Sequence, residues 1–457
     1  MRLMKLTANR FLILSSTFLF FYSASEAQEN SPFSRYGIGD VYPVQSVVSR
    51  AMGGLAAGVT DIQSINTANP GSYGFWPVFY GLRKPVTYDI GISIDSRTLR
   101  SAVPVSKYNS TNFLPSYLQL GIPLSTKRNE ALVFGLRPAT RINYSVIERS
   151  RIPDIDSIQT LYEGDGGLNQ VFFGLGKRWK SVSVGVNAGY EFGSKNISTK
   201  VGFVSDSLLY YRSNSTDSTT FWGLFVNPGI TAHIKLNEHT NSQTKNIETY
   251  YLNVGASGTL QQHLTANKSV TRQTFYYGAN GQIVQVDSVF KAPNILGKIE
   301  LPLNYTAGFM LIKEIAPYVS KWGIGADYSA ARWTDYRNYG LPDQLNNSWK
   351  LSVGGEFAPN PLTGKTLFNR ATYRAGFYTG KDYINADGNG YQVQAITLGA
   401  AFNLRKFNNY DKQLTLVNTA LEFGKRGSSV NNITENFFKF SVSLSLSDIW
   451  FNKRKYD

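Results

Sequence analysis

The 457-residue chain contains no cysteine. Disulfides, thiolate metal sites and a lipid carried on a cysteine at a signal-cleavage point are thereby excluded. Histidine is scarce, with only His233, His239 and His263. Beyond the first two dozen residues no run of about eighteen apolar residues occurs, which excludes a membrane protein built from spanning helices. Acidic residues are outnumbered, 31 against 46 Lys and Arg, for a formal net charge of +15. Such an excess suits either anionic lipid head groups or nucleic acid. The choice between them depends on compartment.

The N-terminus sets that compartment. Arg2, Lys5 and Arg10 precede an apolar run from Phe11 to Tyr22, and Ser25-Glu26-Ala27 has the small-x-small form of a cleavage site. Residues 1–27 read as a secretory signal, too short in its apolar part to span as a mature helix. An exported chain rarely meets nucleic acid, so the basic excess points to outer-membrane lipids and lipopolysaccharide as partners. Tyr, Phe and Gly are abundant, at 28, 28 and 41 residues, while mean hydropathy is −0.22. A chain that spans lipid yet looks polar on average is what a β-barrel with one wet face produces.

The C-terminal stretch FFKFSVSLSLSDIWF (437–451) carries this pattern most plainly. Phe438, Phe440, Val442, Leu444 and Leu446 alternate with Lys439, Ser441, Ser443, Ser445 and Ser447 over about ten residues, the length of a tilted membrane-crossing strand. Comparable segments lie near 86–99, 114–124, 131–146, 170–178, 182–193, 221–236, 249–263, 299–313, 318–333, 345–357, 370–378, 391–404 and 413–423. The count of about fourteen is even, as a closed bacterial barrel requires. The expected fold is all-β: a transmembrane antiparallel barrel over 78–451, with a periplasmic tail at 452–457 and a luminal plug at 28–77. With the first strand running outward, the longest connections, 147–169, 194–220 and 264–298, fall at the cell surface. Trp179, Trp322 and Trp450 then mark the inner interface, and Trp222, Trp333 and Trp349 the outer one.

Residues 28–77 do not alternate. They contain SPFSRYGIGD (31–40) and the small-residue run RAMGGLAAGVTDIQSINTANPGSYG (50–74). The order Arg50-x-Met52-Gly53-Gly54, then Asp61, then Asn66-x-x-Asn69-Pro70-Gly71-Ser72, ahead of a long β region, resembles the FadL-like family of outer-membrane transporters. Gly71 stands where that family usually has Ala. The two ends of the chain look like a Bacteroidetes branch of it. The resemblance implies a plug threaded through the barrel and passage of a hydrophobic or amphipathic small molecule across the outer membrane. The alternative is a non-transporting subunit of an outer-membrane assembly or secretion machine, with protein partners in place of a hydrophobic ligand. Within the plug, Arg50, Gly53, Gly54, Asp61, Asn66, Asn69 and Pro70 are the candidate gating residues.

Charges that alternate with apolar neighbours should face the lumen, because on the lipid face each would cost about 2–4 kcal/mol near the midplane. By that rule Arg137, Glu191, Asp327, Lys350, Glu356, Arg374, Glu422 and Lys439 line the interior, with Arg50 and Asp61 as natural partners from the plug. The histidines have no nucleophile motif beside them, so neither an enzyme nor a metal site is expected, and no cofactor. The calcium-loop-like fragment Asn385-Ala386-Asp387-Gly388-Asn389 lacks the closing glutamate and reads as an Asx-rich turn. Single cysteines introduced into 194–220 and 264–298 should react with an impermeant thiol reagent on intact cells, while those in 125–130 and 358–369 should not. The opposite labelling pattern would invert the strand assignment.

Overall fold

The computed structural model describes residues 31–450 apart from 62–63, 76–77, 80–81, 84–85, 103–104, 126, 154–155, 205–209, 243–246, 317–318, 362–363, 387, 405–414, 429 and 449. The expected signal at 1–27 and tail at 452–457 lie outside these residues, as does Phe451. The long strands are β1 (Val86–Ser101), β2 (Ser106–Ser125), β3 (Glu130–Ile152), β4 (Asp156–Trp179), β5 (Val182–Phe203), β6 (Arg212–Thr240), β7 (Ile247–Thr259), β8 (Gln262–Tyr277), β9 (Ile283–Leu301), β10 (Asn304–Ala316), β11 (Val319–Ala331), β12 (Ser348–Phe357), β13 (Thr372–Ala386), β14 (Asn389–Asn403), β15 (Thr415–Arg426) and β16 (Ile433–Asp448). Strands β7 and β8 run on from one another beside β6, and β9 and β10 return. Counted as paths, the wall has fourteen antiparallel strands. It closes where β16 pairs with β1 from Ile433↔Ser101 to Asp448↔Val86. Closure leaves neither the first nor the last strand as an open edge in lipid, the condition for strands to cross a bilayer.

Alternation does what the sequence requires. On β16, Phe438, Leu444 and Leu446 are exposed while Ser441, Ser443 and Ser445 are buried. On β5, Val182, Val184, Val186, Tyr190 and Phe192 face out, and Ser183, Asn187 and Glu191 are fully buried inside. Each of the fourteen segments read from the sequence falls on one of these paths. Two expectations need correction. The stretches 194–220 and 264–298 are not irregular loops. The first continues β5 and β6, paired up to Val201↔Ser213, and the second is the β8–β9 hairpin. Beyond the bilayer both strand faces meet water, so Ser, Thr and Asn replace the apolar set and the period-two signal fades, although the hydrogen-bond ladder continues. Trp333 is also no belt residue. It begins a 3-10 turn, is 8% exposed, and stacks on Tyr383 with ring centroids 4.4 Å apart. Trp179, Trp222, Trp349 and Trp450 are exposed as an interfacial belt needs.

Among the described residues the wall has one seam. Strands β2 and β3 pair only from Leu118↔Leu136 to Ser125↔Glu130. Above that level β2 is bonded to β1 alone, while β3 continues with β4. Pro115 and Pro138 sit just above the point of separation, and neither has an N–H to give a ladder. The free edge of β3 is taken up from inside by the N-terminal chain. Asp40 and Val41 pair with Arg141 and Thr140, and the Tyr42 N–H donates to the Ala139 carbonyl at 2.8 Å. The Tyr42 hydroxyl then reaches Ser93 on β1 at 2.6 Å and Ser116 on β2 at 3.0 Å. Deleting 433–457 should abolish the heat-modifiable folded form on unboiled gels, because β15 and β1 would present open edges to lipid. A normal yield of folded barrel would contradict this closure.

Candidate functional site

The described residues of 31–75 thread among the inward-facing side chains of the barrel. Most of them are buried, and four apolar clusters tie them to the wall. Phe33 and Ile38 pack with Trp333, Tyr336, Tyr383 and Tyr391. Val48, Met52, Leu55 and Val59 pack on Met310 and Ile312. Ile65 and Tyr73 lie against Ala131 and Val133, and Val47 and Ala51 against Tyr117 and Ala420. The segment has little regular structure of its own. An α-turn, α1 (Val47–Arg50), is capped by the Ser46 side chain, which accepts from the Ser49 N–H.

Polar anchors fix the segment all round. Arg50 meets Glu422 of β15 at 2.7 Å, both about 95% buried. The Asp327 carboxylate of β11 accepts from the Ala56 and Ala57 N–H groups at 2.6 and 2.9 Å. Asp61 meets Arg374 of β13 at 3.5 Å, and Arg374 meets Glu356 of β12 at 3.2 Å. Arg50 and Asp61 are thus partners of the wall, as their charges suggested, rather than of each other. Asn253 of β7 donates to the Gly58 carbonyl at 3.1 Å and to Thr60 at 2.8 Å. The Tyr73 hydroxyl donates to Asn187 of β5 at 2.9 Å.

The asparagine–proline element is a folded knot. Asn66 Nδ2 donates to the carbonyls of Ala56 and Val59, and Asn69 Nδ2 to Ala57 and to the Thr231 hydroxyl of β6. Pro70 opens a 3-10 turn, Pro70–Phe75. At Gly71 an added Cβ would stand 2.6 Å from the Ile230 backbone, so this chain has no room for the alanine usual in the resembling family. Gly53 has φ +72°, donates its N–H to Thr397 at 2.8 Å, and would place a Cβ 2.9 Å from the Phe377 carbonyl. Gly54, at φ +86°, would place one 3.2 Å from Lys350 Nζ.

The remaining predicted lumen residues also point inward. Arg137 donates to Gln170 at 2.8 Å and to Thr67 at 3.3 Å, and Gln170 donates in turn to Glu191. Lys350 lies over the Tyr378 ring and Lys439 over Phe437. A second charge network escaped the sequence reading. Arg97 meets Asp40 and Asp95 at 2.7 Å and Glu435 at 3.2 Å. Arg426 meets Asp382 at 2.7 Å and Asp40 at 3.1 Å. Burial works against the Asp40 carboxylate, but Arg426 and Arg97 outweigh it and hold its pKa below the usual value. Asp95 and Arg97 share the inward parity of β1 and were findable. Arg426 and Glu435 fell in a stretch read as a loop.

Between the segment and the wall lies a cavity of ≈ 420 Å³, bordered by the seam residues Val41, Tyr42, Ala139 and Thr140 and by Arg137, Glu191, Lys350 and Glu422. A smaller one of ≈ 80 Å³ lies beside Asp61, His233, Glu356 and Arg374. His233 is held by Asn253 at 2.6 Å and stacks on Tyr251. His263 lies 3.9 Å from Glu300. Among the described residues no group of three metal-binding side chains occurs. The fragment at 385–390 is the tight turn of the β13–β14 hairpin, paired Ala386↔Asn389, with Asp387 outside the described residues.

Solved structures with this fold include the CymD monoaromatic hydrocarbon channel, 14% identical with a TM-score of 0.50 over 91% of this chain and 100% of that one. The Ralstonia pickettii toluene transporter TbuX is 13% identical, with a TM-score of 0.51 over 90% and 99%. A Pseudomonas aeruginosa FadL homologue is 13% identical, with a TM-score of 0.53 over 90% and 99%. At such identities the likeness is one of fold. No curated protein sequence matches the chain. The family model for BamG matches residues 8–457, nearly the whole length. The chain therefore belongs to the BamG family, built on a barrel fold shared with FadL-type hydrocarbon channels.

Proposed function

We propose that this protein is a closed, non-conducting outer-membrane barrel that serves as a membrane-embedded subunit of an outer-membrane protein assembly. The observation that carries this reading is the distribution of anchors on the luminal segment. Buried ion pairs and hydrogen bonds reach it from β1, β5, β7, β11, β13, β14, β15 and, through Ser31 and Glu435, β16. Displacing such a segment strands several charges at once. Removing one partner of a buried pair costs about 3–5 kcal/mol, because the other charge is left desolvated and alone. A gate that opened by moving this segment would have to overcome several such terms together. A lumen lined by Glu422, Arg374 and Glu356 is also a poor solvent for an acyl chain.

One observation favours a second reading. The seam between β2 and β3 borders the ≈ 420 Å³ cavity, and a hydrophobic or amphipathic molecule entering from outside could leave sideways into the bilayer there if residues 40–42 alone gave way, with the anchors from Arg50 onward in place. Two neighbours in fold are a monoaromatic hydrocarbon channel and a toluene transporter, whose cargo is of that hydrophobic class. A deletion strain separates the readings. The assembly reading predicts unchanged toluene uptake together with loss of specific partner proteins from outer-membrane complexes purified in mild detergent. Impaired uptake with those complexes intact would support the transport reading instead.

The anchors themselves can be measured. Arg50→Met should lower the stability of the folded barrel by about 3–5 kcal/mol, and adding Glu422→Gln should restore part of that loss. Urea midpoints of the two variants and of the double variant test this. Independent, additive losses would mean that the pair is not the anchor described.

A further inference from the structure

The inner end of the wall is closed by short turns. Ser125↔Glu130 and Trp179↔Val182 are the last pairs of β2–β3 and β4–β5, while at the other end β3–β6 run on well past the belt. Short turns at one end and long extensions at the other are the asymmetry of barrels whose turns face the periplasm. The two turns touch. The Arg178 N–H donates to the Asn129 carbonyl at 3.1 Å, and Lys177 meets Glu130 at 2.8 Å.

The wall between the belts has the height of a hydrocarbon core. Phe192 of β5 is level with Trp222, and Val182, ten residues further along β5, is paired with Trp179. At about 3.3 Å per residue and a tilt of about 40°, that descent is about 25 Å. Trp179 therefore marks the inner boundary of the apolar band, and the residues just past it stand at head-group level. They are basic. Residues 125–130 and 177–182 hold Lys127, Arg128, Lys177, Arg178 and Lys180 against one acid, Glu130. Lys177 takes that acid, and Arg178 is held by Asn129 Oδ1 and lies over the Phe75 ring. Lys127, Arg128 and Lys180 are exposed and have no ion pair or side-chain hydrogen bond among the described residues. Lys180 also has φ +53°, in a two-residue turn where glycine or asparagine is the ordinary occupant. The turn itself does not call for a lysine.

We propose that these two turns bind the head group of an anionic phospholipid of the inner leaflet, with Lys127, Arg128 and Lys180 on the phosphate and the acyl chains along Leu124, Leu175 and Trp179. The site is independent of the assembly reading. Charge selects an anionic head group over a zwitterionic one, since three cations without partners stand on turns about 10 Å apart, two strand spacings. Position selects a lipid over a soluble acidic protein. Lys177 and Trp179 share the lipid-facing parity of the exposed Phe173 and Leu175, and the Lys177 ammonium lies 5.4 Å from the Trp179 ring centroid. The basic row thus runs straight on from a surface that acyl chains cover, and a protein would have to enter the bilayer to cover Leu124 and Trp179. Lipopolysaccharide occupies the opposite leaflet, beyond the apolar band.

Native mass spectrometry of the full-length protein, released from nanodiscs holding equal amounts of phosphatidylglycerol and phosphatidylethanolamine, tests this. The expected result is retention of phosphatidylglycerol over phosphatidylethanolamine by roughly tenfold, weakening as salt is raised. The triple substitution Lys127→Gln, Arg128→Gln and Lys180→Gln should remove the preference. Lys180→Asn, which suits the left-handed turn, should weaken it alone, so the loss cannot be laid to misfolding. A matched triple at the outer end, Lys107→Gln, Lys291→Gln and Lys298→Gln, removes the same charge and should leave the preference unchanged. Equal retention of the two lipids by the native protein, an unchanged preference in the inner triple, or the same loss in the outer triple would overturn the proposal.

Discussion

Hydrocarbon tolerates neither an unpaired backbone group nor an unpaired charge. The rest of the structure follows from that constraint. It forces the wall to close, β16 onto β1, and it sends charges such as Glu191, Asp327, Arg374 and Glu422 inward. Inside, the charges are cut off from most of the water and need partners of their own. The wall supplies some of these, as Glu356 does for Arg374. It cannot supply all of them, because strand spacing fixes where each side chain stands. The N-terminal segment completes the set with Arg50, Asp61, Asp40 and the N–H groups of Ala56 and Ala57. Segment and barrel are in this sense one solvation problem.

The seam shows the same constraint acting locally. Pro115 and Pro138 interrupt the β2–β3 ladder, and the exposed backbone of β3 is satisfied from within by Asp40, Val41 and Tyr42. The segment thus also stands in for missing strand contacts. Above the bilayer water satisfies backbone groups, and the constraint lapses. There β3–β6, β8 and β9 extend as a wall with open edges, which is where contacts with other molecules become affordable.

Much of this was legible in the sequence, for physical reasons that also mark the limits. Alternation on β5 and β16 is strict because one face meets lipid and the other does not, so strand number and closure could be read directly. Inward charges declared themselves by their neighbours: Glu191 sits between lipid-facing Tyr190 and Phe192, and Asp327 between Ala326 and lipid-facing Tyr328. The hairpins at 194–220 and 264–298 were invisible as strands because water on both faces erases the pattern. Which charge meets which could not be read either. Arg50 and Glu422 are 372 residues apart, and only closure of the barrel brings them together. Trp333 misled for a related reason: a tryptophan near a strand end looks like a belt residue, but the chain turned inward by a 3-10 turn and buried it.

The central claim is that the luminal segment is a fixed part of the barrel and not a moving gate. Amide hydrogen exchange of residues 47–59, read by mass spectrometry on the protein in native outer-membrane vesicles, tests it most directly. The account predicts that the amides of Gly53, Ala56 and Ala57 exchange as slowly as those of the barrel strands, because opening them means stranding Asp327 and Thr397. Exchange of this stretch within minutes, with the strands still protected, would contradict it.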